Sequence, residues 1–262
     1  MHATVNGIRM QYELTGPEAA PVIVCSHCLA GSMVVWEPQL AALESRYRVL
    51  CYDTRGHGGS SAPDEPYSME MLSKDVTALL DFLNVEKAHF LGISMGGMIG
   101  QTLALMHPDR VASLILCDTT SMVPEAMMPV WEDRIRTARE EGMAAMVEET
   151  LERWFSPGFR QKNPDIMAGI ENMIVETPIP GFVGCSRAIS RFDVHKDLNR
   201  ISMPTLVMVG ENDPGTPLAA ARQIHEGIPH SLLVVLPEAF HLSNIEAAAS
   251  FNENLLAFLA SQ

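Results

Sequence analysis

The chain has 262 residues, 47% hydrophobic and 19% charged, enough for one well-buried core with a modest insertion left over. Its formal net charge of −14 excludes the basic surface that nucleic acid or an anionic membrane requires, and an anionic ligand would have to be met by particular arginines. No apolar run approaches the length of a membrane span, and the opening MHATVNGIRM lacks the charged and apolar regions of an export signal, so the expected compartment is the cytoplasm.

Thr4–Val5 and Ile8–Leu14 alternate in the manner of a hairpin, with Asn6-Gly7 supplying the positive φ of a tight turn. Five short apolar runs then read as strands buried on both faces: Pro21–Cys25, Tyr47–Tyr52, Ala88–Ile93, Val111–Cys117 and Pro204–Val209, with Ser231–Leu236 as a sixth. Helical spacing fills Pro38–Glu44, Met69–Leu83, Met95–Met106, Pro217–Glu226 and Ile245–Leu259. Strands alternating with helices predict an α/β fold, a mostly parallel central sheet flanked by helices. Between about Thr119 and Asn199 the chain is rich in Met, Glu and Arg and holds no convincing strand. It is expected to be a helical cap, residues 121–196, inserted into a core made of residues 1–120 and 197–262.

Five cysteines, Cys25, Cys28, Cys51, Cys117 and Cys185, lie along apolar segments in a number that cannot pair fully, which suits reduced thiols. Cys25 and Cys28 form a C-x-x-C, but no second ligand pair accompanies it, so no metal is expected there.

Gly92-Ile-Ser-Met-Gly96 fits G-x-S-x-G between an apolar run and a helical stretch. That context gives the motif its meaning: a serine on a sharp strand-to-helix turn needs small neighbours, and the helix behind it aims its amides at the reacting centre. A serine hydroxyl is a poor nucleophile without a base held by a third group. In such an α/β-hydrolase elbow the partners follow in the order acid, then histidine. Asp213, in Val207-Met-Val-Gly-Glu-Asn-Asp213, is the expected acid, with Glu211 as its competitor. His241, in a loop after the last strand, is the expected base among nine histidines. His27 is given a role in shaping the loop, and His57 one in a Gly-rich structural turn. The oxyanion donors are expected to be the N–H of Met95 and the N–H of Leu29.

The chain resembles the 3-oxoadipate enol-lactonases over nearly its whole length. Tyr52-Asp-Thr-Arg-Gly-His-Gly-Gly-Ser60 and Gly92–Met98 are shared with many esterases. More diagnostic are cap stretches: Trp131–Arg136 with Glu141–Met143, Glu152–Phe159, Thr177-Pro178 and Gly181–Cys185, and then the tail His241–Glu246. The chain departs from that pattern at Ile189-Ser190-Arg191, where Ile-Arg-Asp is expected, and at Cys28, where many relatives have Gly. The resemblance implies hydrolysis of a small carboxylated enol lactone through a Ser-His-Asp acyl-enzyme, with no cofactor. Its carboxylate would need a clamp, for which Arg134, Arg187 and Arg191 are the candidates, while Trp131 and Trp154 would wall the pocket. A carboxylesterase, a perhydrolase or a carbon–carbon bond hydrolase would use the same triad, and some proteins of this fold bind ligands without catalysis.

Overall fold

The computed structural model describes residues 1–262. Its strands are β1 (His2–Val5), β2 (Ile8–Thr15), β3 (Val22–Ser26), β4 (Arg48–Tyr52), β5 (Ala88–Ile93), β6 (Val111–Cys117), β7 (Thr205–Gly210) and β8 (Leu232–Leu236). They form one sheet in the order β1-β2-β4-β3-β5-β6-β7-β8. The opening hairpin and the β2–β4 pair are antiparallel, and every other pairing is parallel. Asn6 and Gly7 turn the hairpin with φ of 44° and 79°, as the dipeptide predicted.

The core helices are α1 (Glu37–Leu43), α2 (Met69–Phe82), α3 (Met95–Met106), α9 (Leu218–Gly227), α10 (Ser243–Glu246) and α11 (Ala248–Leu259). Each predicted strand and helix is present within a residue or two, with one difference. The single helix expected over Ile245–Leu259 is broken at Ala247, whose φ and ψ are −116° and 38°. Ala247 N–H still donates to Ser243 O and its own carbonyl accepts from Phe251 N–H (2.9 Å each), so the two helices follow one another across a kink.

Between β6 and β7 the chain forms α4 (Met128–Glu140), α5 (Val147–Trp154), α6 (Pro157–Lys162), α7 (Pro164–Glu176) and α8 (Ile179–Ser190). The two ends of this excursion are laced together where Val123 N–H donates to the Phe192 carbonyl (2.8 Å) and Val194 N–H to Ser121 (2.9 Å). On the far side, α8 presses on the loop after β4. A Cβ at Gly181 would collide with the Gly56 backbone, and Gly56 itself has φ of 84°. The pairings Ser26 with Gly92 and Ile93 with Cys117 align the C-terminal ends of β3, β5 and β6. Gly210 opposite Leu236 then brings the loops after β7 and β8 to the same edge. Sites in open parallel sheets collect at this end of the strands.

Candidate active site

Ser94 ends β5 and begins α3 with φ of 54° and ψ of −115°, a region that a residue with a side chain occupies only when its surroundings compel it. They do so here. Ser94 N–H donates to Cys117 O (2.9 Å), and Thr119 Oγ1 donates to Ser94 O (2.7 Å). A Cβ at Gly92 would strike the Gly96 carbonyl, and one at Gly96 the Ser26 carbonyl. The spacing of the motif is therefore steric.

The turn aims Ser94 Oγ at His241 Nε2, 2.9 Å away, and His241 Nδ1 lies 2.8 Å from Asp213 Oδ2. Asp213 Oδ1 also accepts from the N–H groups of Gly215 (2.7 Å) and Thr216 (3.0 Å), and Oδ2 from Thr216 Oγ1 (2.6 Å). Burial alone would raise the Asp213 pKa; the His241 charge and these hydrogen bonds outweigh it and hold the carboxyl below its ordinary range. The group stays ionised where an imidazolium would form. Glu211, the competitor, points outward and accepts from Glu238 N–H at 3.1 Å.

A second buried carboxylate organises this triad, and the sequence reading passed over it. Asp118, just after β6, accepts from Gly210 N–H (2.7 Å) and from Ser243 Oγ. It thus ties the turn that carries Asp213 to the loop that carries His241. Burial, and then the neighbouring Asp213, push its pKa well up.

The loop after β3 holds Leu29, whose N–H donates to no other protein group, as is true of the Met95 N–H at the start of α3. Both amides are free to receive an oxyanion. Two buried histidines shape that loop. His27 Nδ1 lies 2.7 Å from Cys28 O while its Nε2 accepts from Thr54 N–H (2.9 Å). His57 Nε2 accepts from Ala30 N–H (3.0 Å), holding Ala30 at φ of 59°. The Cys28 thiol is buried, its pKa pushed up to about 12 by burial, and it packs where a Cβ at Gly31 would sit.

Both histidines must be neutral to accept these bonds. Burial lowers the His27 pKa from 6.5 to about 4, and burial together with the His27 charge lowers that of His57 to about 3. Unfolded, each binds a proton near pH 6.5, so the unfolded state is the one favoured by acid. Stability is therefore expected to be full above about pH 6.5 and to fall as pH drops toward about 4, by roughly 1.4 kcal/mol per pH unit for each histidine. Urea midpoints measured from pH 8 to 4 test this. Replacing His57 by Gln, which keeps an acceptor and does not titrate, should flatten the slope.

Above Ser94 and His241 lies a cavity of about 270 Å3. Trp131 and Arg134 from α4 and Trp154 from α5 line it, as expected from the sequence. Arg187 and Arg191 do not. Both are exposed, at the end of α8 and just beyond it, and the arginine on the cavity wall in their place is Arg153. The sequence offered no sign of Arg153, because its pairing with Glu149 at i,i+4 (3.2 Å) looks like any solvated helix face. Arg134 differs. Its guanidinium lies 4.8 Å from the Trp131 ring centroid and 5.9 Å from that of Phe182, no carboxylate pairs with it, and its Nε has no hydrogen-bond partner. Burial, then the Arg153 cation, lowers its pKa to about 9, which leaves it charged at neutral pH.

The wall carrying Trp154 is bonded to the loop of His241 itself. Glu246 Oε2 accepts from Phe240 N–H (2.8 Å) and Oε1 from Ser156 N–H (3.0 Å), while Leu242 N–H donates to Trp154 O (3.1 Å).

Residues 21–248 match the family model for the alpha/beta hydrolase fold. The chain is an α/β-hydrolase. It is 38% identical over 256 residues to 3-oxoadipate enol-lactonase 2 of Acinetobacter baylyi, covering 98% of this chain and 95% of that one. The crystal structure of the enol-lactonase from Burkholderia xenovorans LB400 superposes with a TM-score of 0.96 at 38% identity, over 99% of this chain and 100% of the other. A thermophilic esterase from Thermogutta terrifontis follows at 28% identity and a TM-score of 0.91, covering 100% of this chain and 98% of its own. This α/β-hydrolase is accordingly an enzyme of carboxylic esters or lactones, similar throughout its length to enol-lactonases. No helix in it is long and apolar enough to cross a membrane.

Proposed function

We propose that this α/β-hydrolase opens a small monocarboxylated enol lactone, 3-oxoadipate enol-lactone to 3-oxoadipate, in the cytoplasm, and that residues 121–196 are the cap that selects it. The observation that carries the reading is Arg134, a cation without a carboxylate partner in the cavity that Ser94 and His241 line. An unpaired charge held against aromatic rings costs stability unless a ligand uses it.

In this reading Ser94 Oγ attacks the lactone carbonyl and passes its proton to His241 Nε2. Asp213 stabilises the imidazolium, and the Leu29 and Met95 amides take up the oxyanion. Collapse breaks the ring C–O bond, and His241 returns the proton to the enol oxygen. The leaving group stays attached to the acyl chain, where tautomerisation to the ketone removes the nucleophile for reclosure. Water, deprotonated by His241, then cleaves the acyl-enzyme and frees the diacid. Arg134 would hold the free carboxylate throughout.

Loss of enol-lactone absorbance, followed beside a panel of p-nitrophenyl esters, tests the assignment. Efficient ester cleavage without lactone turnover would favour a general esterase, for which the apolar lining by Met98, Val130 and Ile189 is the supporting feature. Arg134→Gln is expected to raise KM for the lactone roughly 30-fold or more, the scale of one charge-assisted contact, with kcat changed far less. An unchanged KM would remove Arg134 from the carboxylate site.

A further inference from the structure

The cavity wall carries three ionic side chains: Arg134, Arg153 and Glu149. They are not equivalent. Glu149 reaches Arg153 at 3.2 Å from one turn earlier on α5, whereas Arg134 makes no ion pair and leaves its Nε unpartnered. Electrostatically Glu149 faces both guanidiniums, favouring the charged form of each, while Arg153 disfavours that of Arg134. Without Glu149 the wall would present two neighbouring cations. With it, one cation is already matched and one is open.

We propose that Glu149 is a specificity-determining residue: by occupying Arg153 it limits the cavity to one free cation and selects monocarboxylate substrates over dicarboxylate ones. The inference rests on the reading that Arg134 receives the substrate carboxylate. A second carboxylate entering beside the first would have to displace Glu149 from Arg153 or lie against it as a like charge. Arg153, pulled also by the buried Asp213 charge, gains little by exchanging one carboxylate for another. The exchange leaves a displaced Glu149 at the mouth. Such negative selection, by a repulsive group and not by a missing contact, is a common route to discrimination between similar ligands. Glu149 is 58% exposed, so its influence should be screened by salt.

The experiment compares three p-nitrophenyl esters with the full-length enzyme: a neutral butyrate, a hemisuccinate with one carboxylate, and a tricarballylate monoester with two. Glu149→Gln is expected to raise the dianion-to-monoanion ratio of kcat/KM about five- to tenfold at low ionic strength, and the gain should shrink toward twofold in about 0.5 M salt. A ratio that does not move would overturn the proposal, as would a gain indifferent to salt. Arg134→Gln supplies the control on the underlying reading. If it abolishes the monoanion-to-neutral preference while Glu149→Gln does nothing, the carboxylate site stands and the role of Glu149 falls. If the preference survives Arg134→Gln, the carboxylate site itself is wrong. Glu149 is the exposed partner of a half-buried pair and contributes modestly to folding, so Glu149→Gln should remain assayable.

Discussion

Ser94→Ala is expected to lower kcat on the proposed enol lactone by roughly 10^5- to 10^6-fold, the scale of losing a triad nucleophile, with little change in substrate binding. Alanine suits the confined turn, since the serine Cβ already sits at φ of 54° and the bonds that hold it there come from Cys117 O and Thr119 Oγ1 to its main chain. Only the 2.9 Å contact to His241 Nε2 disappears. What remains is a cavity with two free amides that can still polarise a carbonyl, so some excess over the uncatalysed rate should survive. A fluorophosphonate probe should label the wild-type protein at Ser94 and leave the variant unlabelled. Turnover above about one percent of wild type would mean that the nucleophile lies elsewhere, and failure of the probe on the wild-type protein would revive a ligand-binding role.

Asp213→Asn should cost about 10^4-fold in kcat with only a small loss of stability, the part contributed by a carboxyl whose ionised form the fold favours. Four donors surround this carboxylate. An asparagine oxygen can keep the Gly215 and Thr216 amides, which turns its NH2 toward His241 Nδ1. The ring nitrogen must then accept instead of donate, which moves the imidazole proton to Nε2 and points it at Ser94 Oγ. The base would be present, correctly placed and in the wrong tautomer. A single-turnover assay separates this from a folding defect, because the variant should melt close to the parent and fail at acylation. Near-normal acylation would show that Asp213 only packs against the ring.

Most of the sheet was legible because strands buried on both faces leave continuous apolar runs such as Val111–Cys117, and the punctuation between them is glycine or proline. The hydrogen-bonded arrangement of Ser94, His241 and Asp213 was legible for a related reason: the elbow is a local steric requirement, and the order of its partners follows the sheet. The wall of the cavity was not. Trp131 and Arg134 stand three apart on one helix face and could be paired on paper, but nothing in the sequence says that Arg187 and Arg191, at the end of α8 and just beyond it, face solvent. Arg153 looked solvated because its partner lies on its own helix. Asp118 was missed, and His57 was read only as part of its own Gly-rich turn, because the contacts of both reach across long stretches of chain. Asp118 reaches Gly210 and Ser243, and His57 reaches Ala30. The Glu246 carboxylate likewise bonds Phe240 and Ser156, contacts that no helical periodicity records.

Those last bonds divide the walls of the cavity into two kinds of real estate. Trp154 O takes the Leu242 N–H directly, and Ser156 reaches Phe240 only through the Glu246 carboxylate, so a change in shape there is transmitted to the segment that carries His241. Helix α4 carries Trp131 and Arg134 and has no hydrogen bond to that loop. Over evolutionary time a lineage could therefore exchange the α4 face, and with it the substrate proposed to meet Arg134, while leaving the Ser94–His241–Asp213 arrangement in tune. Directed evolution toward new esters should accumulate its first beneficial changes on α4 and find positions 154–156 nearly intolerant.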